Sequence, residues 1–252
     1  MSDTTQAIDP RIQSFRVWNI SAAVFHGVSA ALMLSLANGF TIPITAQFAE
    51  GPPGAQPTWP TEIVAEPRFA YLTASFLIVS AIFHALISLP GVFEHYAAKL
   101  AVGRAPFRWA EYSISSSIML VPIAMLVGIT DVAALTALIG VNAAMIWFGY
   151  LQEFKGEAGM RPFWLGCLAG AVPWIAIGIY LFGAGGDVPG FVYAIYISLF
   201  LLFNCFAFVM LAHERGWGRW SDYLTGEKSY IVLSFVAKSA LAWQVFAGTL
   251  AG

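Results

Sequence analysis

The chain has 252 residues, of which 59% are apolar and 10% are charged, and its formal net charge is −2. Soluble globular domains contain about 45–50% apolar and about 25% charged residues, so this composition excludes a soluble globule and indicates a polytopic membrane protein. The net charge alone points to no partner. Cys167 and Cys205 both lie in apolar runs and are interpreted as packing residues rather than as a disulfide framework.

The first ten residues, MSDTTQAIDP, lack a basic segment followed by a short apolar run, so no removable signal peptide is expected. Seven later stretches are long and apolar enough to cross a hydrocarbon core that needs about 20 residues per helix. They predict an all-α, rhodopsin-like seven-helix bundle that forms a single domain over residues 1–252. The predicted spans are 14–37, 68–90, 106–129, 131–153, 162–183, 189–213 and 229–251.

The connection between the first two spans, residues 38–67, is long and contains six prolines, among them Pro43 and Pro57. Its first part, FTIPITAQF, places Phe40 and every second residue to Phe48 on one face, which is typical of a strand, and Pro43 favours an edge strand. The pattern predicts a β-hairpin that covers the bundle or touches a second protomer. A mobile proline-rich loop is the alternative.

Residues that commonly begin or cap a helix stand at the predicted starts of several spans. Pro106, Pro162 and Pro189 stand at expected helix starts, where a proline loses no hydrogen bond. Asp131 follows Thr130 and is placed to cap the fourth span.

The distribution of basic residues predicts the orientation. Of the 12 lysines and arginines, ten flank the N-terminus or the even-numbered connections, Arg68 lies at the opposite end, and Lys238 lies inside the last span. By the positive-inside rule, the N-terminus is cytoplasmic, the C-terminus is extracellular, and the protein is a multi-pass protein of the cell membrane.

Besides Lys238, the ionisable residues His26, His84 and Glu111 fall well inside the apolar spans. At 1.5 Å per residue, Glu111 lies about 7–8 Å from the cytoplasmic end of its helix and His84 about 9 Å from that end. The amine of Lys238 leans back toward the helix N-terminus and reaches a depth of about 9 Å. These three groups should therefore meet in the cytoplasmic half, with His26 deeper.

Small polar residues share the same helix faces. Ser234 lies four residues before Lys238 and Ser115 four residues after Glu111, so each stacks on its ionisable neighbour. A structural ion pair, packing histidines and close helix packing at the serines are the alternatives to functional roles. The outer half of the bundle has no comparable polar track, which argues against ion pumping across the membrane.

A lysine amine in an apolar pocket can form a Schiff base with an aldehyde, and a nearby carboxylate would balance the charge of the protonated form. An elongated apolar aldehyde requires a slot of aromatic and methionine side chains. The fourth to sixth spans offer Met145, Ile146, Trp147, Trp164, Trp174, Phe200, Phe203 and Phe206. A lysine in the seventh helix and a carboxylate in the third are the arrangement of a retinal protein.

The chain resembles the heliorhodopsins over essentially all seven spans. The resemblance rests on SFVAKS in the seventh span, on RWAEYSISSS in the third and on the inward N-terminus. Ordinary microbial pumps commonly carry an aspartate four residues before the retinal lysine, whereas this chain has Ser234, as the heliorhodopsin pattern requires. The family's two histidines near the Schiff base match His26 and His84.

The resemblance implies a light-sensing protein that binds all-trans retinal on Lys238, with Glu111 as the single counter-ion and a slow photocycle. It places Ser234, Ser115, His26 and His84 near the Schiff base. Its retinal pocket corresponds to Met145, Ile146, Trp164, Trp174 and Phe203. It also implies a homodimer to which the external loop contributes, and an unidentified cytoplasmic signalling partner.

No enzymatic activity, metal site or nucleic-acid partner is expected. Two other functions remain open from the sequence: a light-driven ion pump or channel, and a membrane scaffold or transporter that does not respond to light and holds a structural Glu–Lys pair.

Overall fold

The computed structural model describes residues 9–55 and 58–250. Pro57 and Gly252 lie outside the described residues, as does the last residue of the predicted seventh span. Eight α-helices and one two-stranded sheet are present in this part of the chain. In order they are α1 Pro10–Leu36, β1 Ile44–Gln47, β2 Thr61–Ala65, α2 Phe69–Ser88, α3 Val92–Ala101, α4 Pro106–Leu126, α5 Val132–Gln152, α6 Arg161–Gly183, α7 Gly190–Glu214 and α8 Tyr223–Val245.

Seven of these helices are long and apolar enough to span a membrane, which confirms the predicted bundle. Each spanning helix packs against the next one along the chain, and α8 packs against α1, so the seven form a closed ring. The contact between α6 and α7 is the sparsest in the ring. The first and last spanning helices begin earlier than predicted, α1 at Pro10 and α8 at Tyr223, and α8 is followed by a π-helical turn, Phe246–Leu250.

Helix α3 was not predicted as a separate element. It lies in the connection between the second and third spans and buries Phe93, Tyr96, Ala97 and Leu100 against the end of the bundle at which α1 and α8 begin. A helix of only ten residues cannot cross a membrane, and its apolar residues form one stripe, so it lies along the end of the bundle.

The predicted hairpin is present. Strands β1 and β2 pair antiparallel, with an irregular register between Ile44 and Thr45. The hairpin is fixed to the bundle where α5 begins, because the Thr45 amide donates to the Thr130 carbonyl at 2.9 Å and the two threonine hydroxyls lie 3.1 Å apart. Ala46, within β1, is buried. The hairpin therefore covers the end of the bundle at which α5 begins.

The predicted cap at Asp131 is also present, since its side chain accepts from the amides of Ala133 and Ala134. At the same end of the bundle, the Asn38 amide donates to the Leu250 carbonyl at 3.0 Å and joins the end of α1 to the π-helical turn Phe246–Leu250 that follows α8.

The core has two main parts. A large apolar cluster fills the half of the ring nearer the hairpin, with Met119, Ile123, Leu77 and Leu241 among its buried members. A smaller cluster lies at the opposite end, around α3. Most buried ionisable side chains lie between the two clusters, where burial without a partner is costly.

Candidate functional site

The side chains of Lys238 on α8 and Glu111 on α4 meet inside the ring. The Nζ atom of Lys238 lies 2.7 Å from Oε1 of Glu111, and the two side chains are 3% and 4% exposed. Among the described residues, Glu111 is the only carboxylate within ion-pair distance of this amine. The depths counted along the helices had put these two groups at the same level, and the structure brings them into contact.

Two hydroxyls complete the polar shell of the pair. Lys238 Nζ also donates to Ser234 Oγ at 2.7 Å, one helical turn before it. Ser80 Oγ donates to Glu111 Oε1 at 2.6 Å from α2. The Nζ atom lies 5.3 Å from the centre of the Tyr112 ring, which adds an aromatic face beside the charge.

The two histidines lie beside the pair, with their rings 5.9 Å apart and nearly parallel. His84 Nδ1 contacts Asn19 Oδ1 at 2.7 Å, and the amide nitrogen of Asn19 donates to the Phe15 carbonyl at 2.7 Å. The second contact fixes the orientation of the amide, so Asn19 presents its oxygen and His84 Nδ1 is the donor. Nε2 of the neutral ring is then left as a proton acceptor.

His26 is fully buried, and neither of its ring nitrogens has a hydrogen-bond partner among the described residues. The Oγ atom of Ser115 is also buried without a partner there. Buried polar atoms are nearly always satisfied by protein or ordered water, so these three atoms mark space for water or for a bound molecule.

A cavity of about 130 Å³ begins at Lys238 and runs between α4, α5, α6 and α7. One ordered water needs about 10–15 Å³ on the same measure, so the space suits a much larger molecule. Most of its wall is apolar or aromatic. Its lining includes Trp109, Tyr112, Ser115, Met119, Met145, Ile146, Phe163, Phe203, Phe206, Tyr230, Ser234 and Lys238.

Three of the five predicted pocket residues, Met145, Ile146 and Phe203, line this cavity. Trp164 does not: it is 55% exposed on the outside of α6, and its neighbour Phe163 faces the cavity instead. Trp174 is buried but stands behind the wall, with its ring 5.5 Å from that of Phe203. Helix α6 is apolar on all sides, so its sequence pattern does not identify the inward face.

Several residues of the site were missed by sequence reasoning. Ser80 lies four residues before His84, and Asn19 lies seven residues before His26, so helical spacing places each on the same face as its histidine. Trp109 and Tyr112 flank Glu111 in sequence and both line the cavity. The helical period, applied to every polar residue of the first two spans, would have indicated Ser80 and Asn19.

The arrangement combines a buried amine, one carboxylate and a largely apolar cavity. An amine in such a place can condense with an aldehyde, and the carboxylate can balance the charge of the product. The cavity wall is suited to a long unsaturated hydrocarbon chain, because its aromatic and methionine side chains offer apolar contact with few competing polar groups. The residues present therefore fit retinal as the bound group.

A family model described as Heliorhodopsin matches residues 15–250 of the chain. No curated protein matches the sequence.

Solved structures with the same fold include rhodopsins from several organisms. The Exiguobacterium sibiricum rhodopsin aligns with a TM-score of 0.65 at 14% identity and covers 95% of this chain and 97% of its own. The Coccomyxa subellipsoidea rhodopsin, described as a light-driven proton pump, aligns with a TM-score of 0.62 at 17% identity and covers 96% and 98%. At these identities the similarity shows the fold alone.

Proposed function

The chain belongs to the heliorhodopsin family, and we propose that it is a light-sensing membrane protein that carries all-trans retinal on Lys238. The observation that carries this proposal is the buried contact of 2.7 Å between Lys238 Nζ and Glu111 Oε1 at the end of an apolar cavity. Bound retinal supplies the absorption of visible light and, by isomerising to 13-cis, a change of geometry at Lys238.

Glu111 holds the negative charge that keeps a proton on Lys238 Nζ. A charge in a site of low dielectric constant needs a partner nearby, and no second carboxylate of the described residues lies within ion-pair distance of this amine. Ser80 and Ser234 orient the two groups, one by donating to the carboxylate and the other by accepting from the amine.

The histidines provide a place for the proton when it leaves Nζ. His84 presents Nε2 as an acceptor, and the unpartnered nitrogens of His26 border the same space. Toward the outer face, by contrast, the core around Met119, Ile123 and Leu241 is apolar and buried. This supports a closed cycle in which the proton stays in the inner half, and therefore a slow, signalling photocycle rather than ion pumping.

We assign the N-terminal end of the bundle to the cytoplasm. The support is the cluster of basic residues at the ends of α1, α3 and α7, which follows the positive-inside rule. A tag placed after Gly252 should then be labelled on intact cells. Labelling only after permeabilisation would reverse the orientation.

We also propose a homodimer with the hairpin at its interface. The hairpin presents apolar side chains on its free surface, among them Phe48, Ile63 and Val64. Exposed apolar strands at an ordered edge are common sites of association between chains. Cross-linking through single cysteines placed in β2 should yield a dimer, whereas cysteines at the opposite end of the bundle should not.

The central experiment is absorption spectroscopy after all-trans retinal is added to the purified protein. Wild type should form a visible band, Lys238→Ala should not, and Lys228→Ala, which removes a surface lysine from the same helix, should behave as wild type. A stable visible pigment in Lys238→Ala would refute the assignment.

Light-induced pH changes in a cell suspension separate a sensor from a pump. We expect no change that a protonophore abolishes. A protonophore-sensitive change would make this chain a light-driven pump, the activity given for the Coccomyxa subellipsoidea neighbour.

A further inference from the structure

A second group of buried charges lies on the cytoplasmic side of the Lys238 site. Arg108 on α4 lies 2.8 Å from Glu153, at the end of α5, and 3.0 Å from Glu227 on α8. The side chains of Arg108, Glu153 and Glu227 are 6%, 7% and 2% exposed. Arg108 is one of the ten basic residues that flank the N-terminus or a connection in the sequence, but its side chain is part of the core.

Within the part of the chain that the structure describes, the cluster contains two carboxyl groups and one cation. The other titratable groups that face it are the phenols of Tyr96 on α3 and of Tyr223 and Tyr230 on α8, which are neutral at ordinary pH. His84 and Glu111 lie across a small cavity from it. If both carboxyl groups were ionised, the cluster would bury an uncompensated negative charge, which is strongly unfavourable. One of the two should therefore carry a proton.

The hydrogen bonds indicate which one. Glu153 accepts from Arg108 Nη2, from the Ala105 amide at 3.0 Å and from the Tyr223 hydroxyl at 3.0 Å, as expected of a carboxylate. Glu227 has one hydrogen bond, to the Tyr96 hydroxyl at 3.2 Å. Its Oε2 atom lies near Arg108 Nη1, but neither atom has a well-aligned hydrogen bond among the described residues.

The cluster communicates with the Lys238 site through a small cavity. Asn19, His84 and Glu111 line one part of it, and Tyr96, Arg108 and Glu227 line the other. Its volume of about 20 Å³ is enough for one ordered water, which needs about 10–15 Å³. One water there would join the two groups of polar side chains.

We propose that Glu227 is a neutral carboxylic acid in the resting protein and serves as the internal proton donor for Lys238. This inference rests on the proposed function. When Nζ has lost its proton, the O–H bond of Glu227 breaks and an N–H bond forms at Nζ. The proton passes through water in the small cavity and through Glu111, which lines that cavity and lies 2.7 Å from Nζ. Glu227 then recovers a proton from the histidine, His26 or His84, that received the proton of Nζ, so no proton is released.

Infrared spectroscopy of the full chain without retinal tests the resting state. Wild type at neutral pH should show a buried carboxylic C=O band that is absent in Glu227→Gln and shifted in Glu227→Asp. Glu153→Asp should leave the band in place, and so should Glu157→Gln, which alters an exposed carboxylate. The absence of such a band, or a band that shifts with Glu153 instead, would overturn the proposal.

Flash photolysis of the pigment tests the donor role. Glu227→Gln should slow recovery of the resting state by about 10²-fold, the size of effect expected of a lost proton donor. Added azide, a small weak acid, should restore the rate, which a merely structural defect would not allow. Unchanged recovery would overturn the donor role. Failure of pigment formation would refute the proposed function. The infrared measurement needs no retinal, so it would still decide whether Glu227 carries the proton.

Discussion

Ser80 and Lys238 donate to the same oxygen atom of Glu111. The Ser80 hydroxyl lies 2.6 Å from Oε1 and the Lys238 amine lies 2.7 Å from it. The two donors sit on different helices, so this single oxygen joins α2, α4 and α8 in the centre of the membrane-spanning ring. The negative charge that Glu111 presents to the Lys238 amine is therefore set in part by Ser80, which carries no charge itself.

Removal of the Ser80 hydroxyl should change the colour of the pigment. In Ser80→Ala, Glu111 Oε1 keeps only the contact with Lys238, so its negative charge is less shared and stabilises the positive charge near Nζ more strongly. We expect a shift of the visible band to shorter wavelength. Ser75→Ala is the matched control, because Ser75 bonds only to a carbonyl of its own helix. Equal spectra for Ser80→Ala and wild type would show that Ser80 does not tune the counter-ion.

Neutralisation of Glu111 should remove the visible band. Glu111→Gln leaves no carboxylate beside Lys238 Nζ, so the nitrogen should lose its proton at neutral pH and the pigment should absorb in the near ultraviolet. The measurement requires halide-free buffer, since chloride could occupy the vacated place, and addition of chloride should then restore visible absorption. A normal visible band without halide would mean that another group balances the charge.

The close contact between Gly149 and Trp109 should control the width of the cavity. A Cβ atom at Gly149 would overlap the Trp109 indole, which lines the cavity, whereas a Cβ at Gly140 on the same helix would meet no atom within 4 Å. Gly149→Ala should therefore push the indole into the cavity and reduce the yield of pigment several-fold. Gly140→Ala should bind retinal as wild type does. Equal yields from both variants would show that the indole moves away from the cavity.

The start of α8 should be sensitive to acid. Asp222 caps this helix through the Thr225 amide and hydroxyl, and it contacts Arg11 at 2.9 Å. Partial burial raises the pKa of Asp222, but the hydrogen bonds from Thr225 and Arg11 outweigh it and hold the pKa below its usual value. Because the folded-state pKa is lowered, the stabilisation is present above the ordinary pKa of about 4 and is lost as the pH falls through the folded-state value.

Thermal unfolding in detergent between about pH 7 and pH 3 measures this effect. Asp222→Asn keeps a capping side chain and should remove part of the acid sensitivity, while Asp222→Ala should cost about 0.5–2 kcal/mol at neutral pH. An Asp222→Asn protein with the same loss of stability in acid as wild type would assign that loss to other carboxylates.

The sequence was sufficient to predict the seven spans, the hairpin and the meeting of Lys238 with Glu111. These predictions depend on helix length, strand alternation and rise per residue, which are local properties with fixed geometry. The same geometry would have identified Ser80 from its spacing to His84.

Other features depend on partners far away in the chain. Arg108 was counted with the basic residues that flank the connection between the second and third spans, and its burial becomes visible only when Glu153 and Glu227 are brought to it from two other helices. Trp164 was assigned to the pocket from the family resemblance. The sequence of α6 does not correct that assignment, because the helix is apolar all around and the residues that face lipid share one composition with those that face the cavity.

The most direct test of the account is to locate the bond between retinal and the protein. After incubation with all-trans retinal, treatment with borohydride reduces a carbon–nitrogen double bond and makes the attachment permanent. Mass spectrometry of the digested protein should then place the added mass on the peptide that contains Lys238, with none on the peptide that contains Lys228. Modification of any other lysine, or an unmodified Lys238 in protein that has a visible band, would contradict the account.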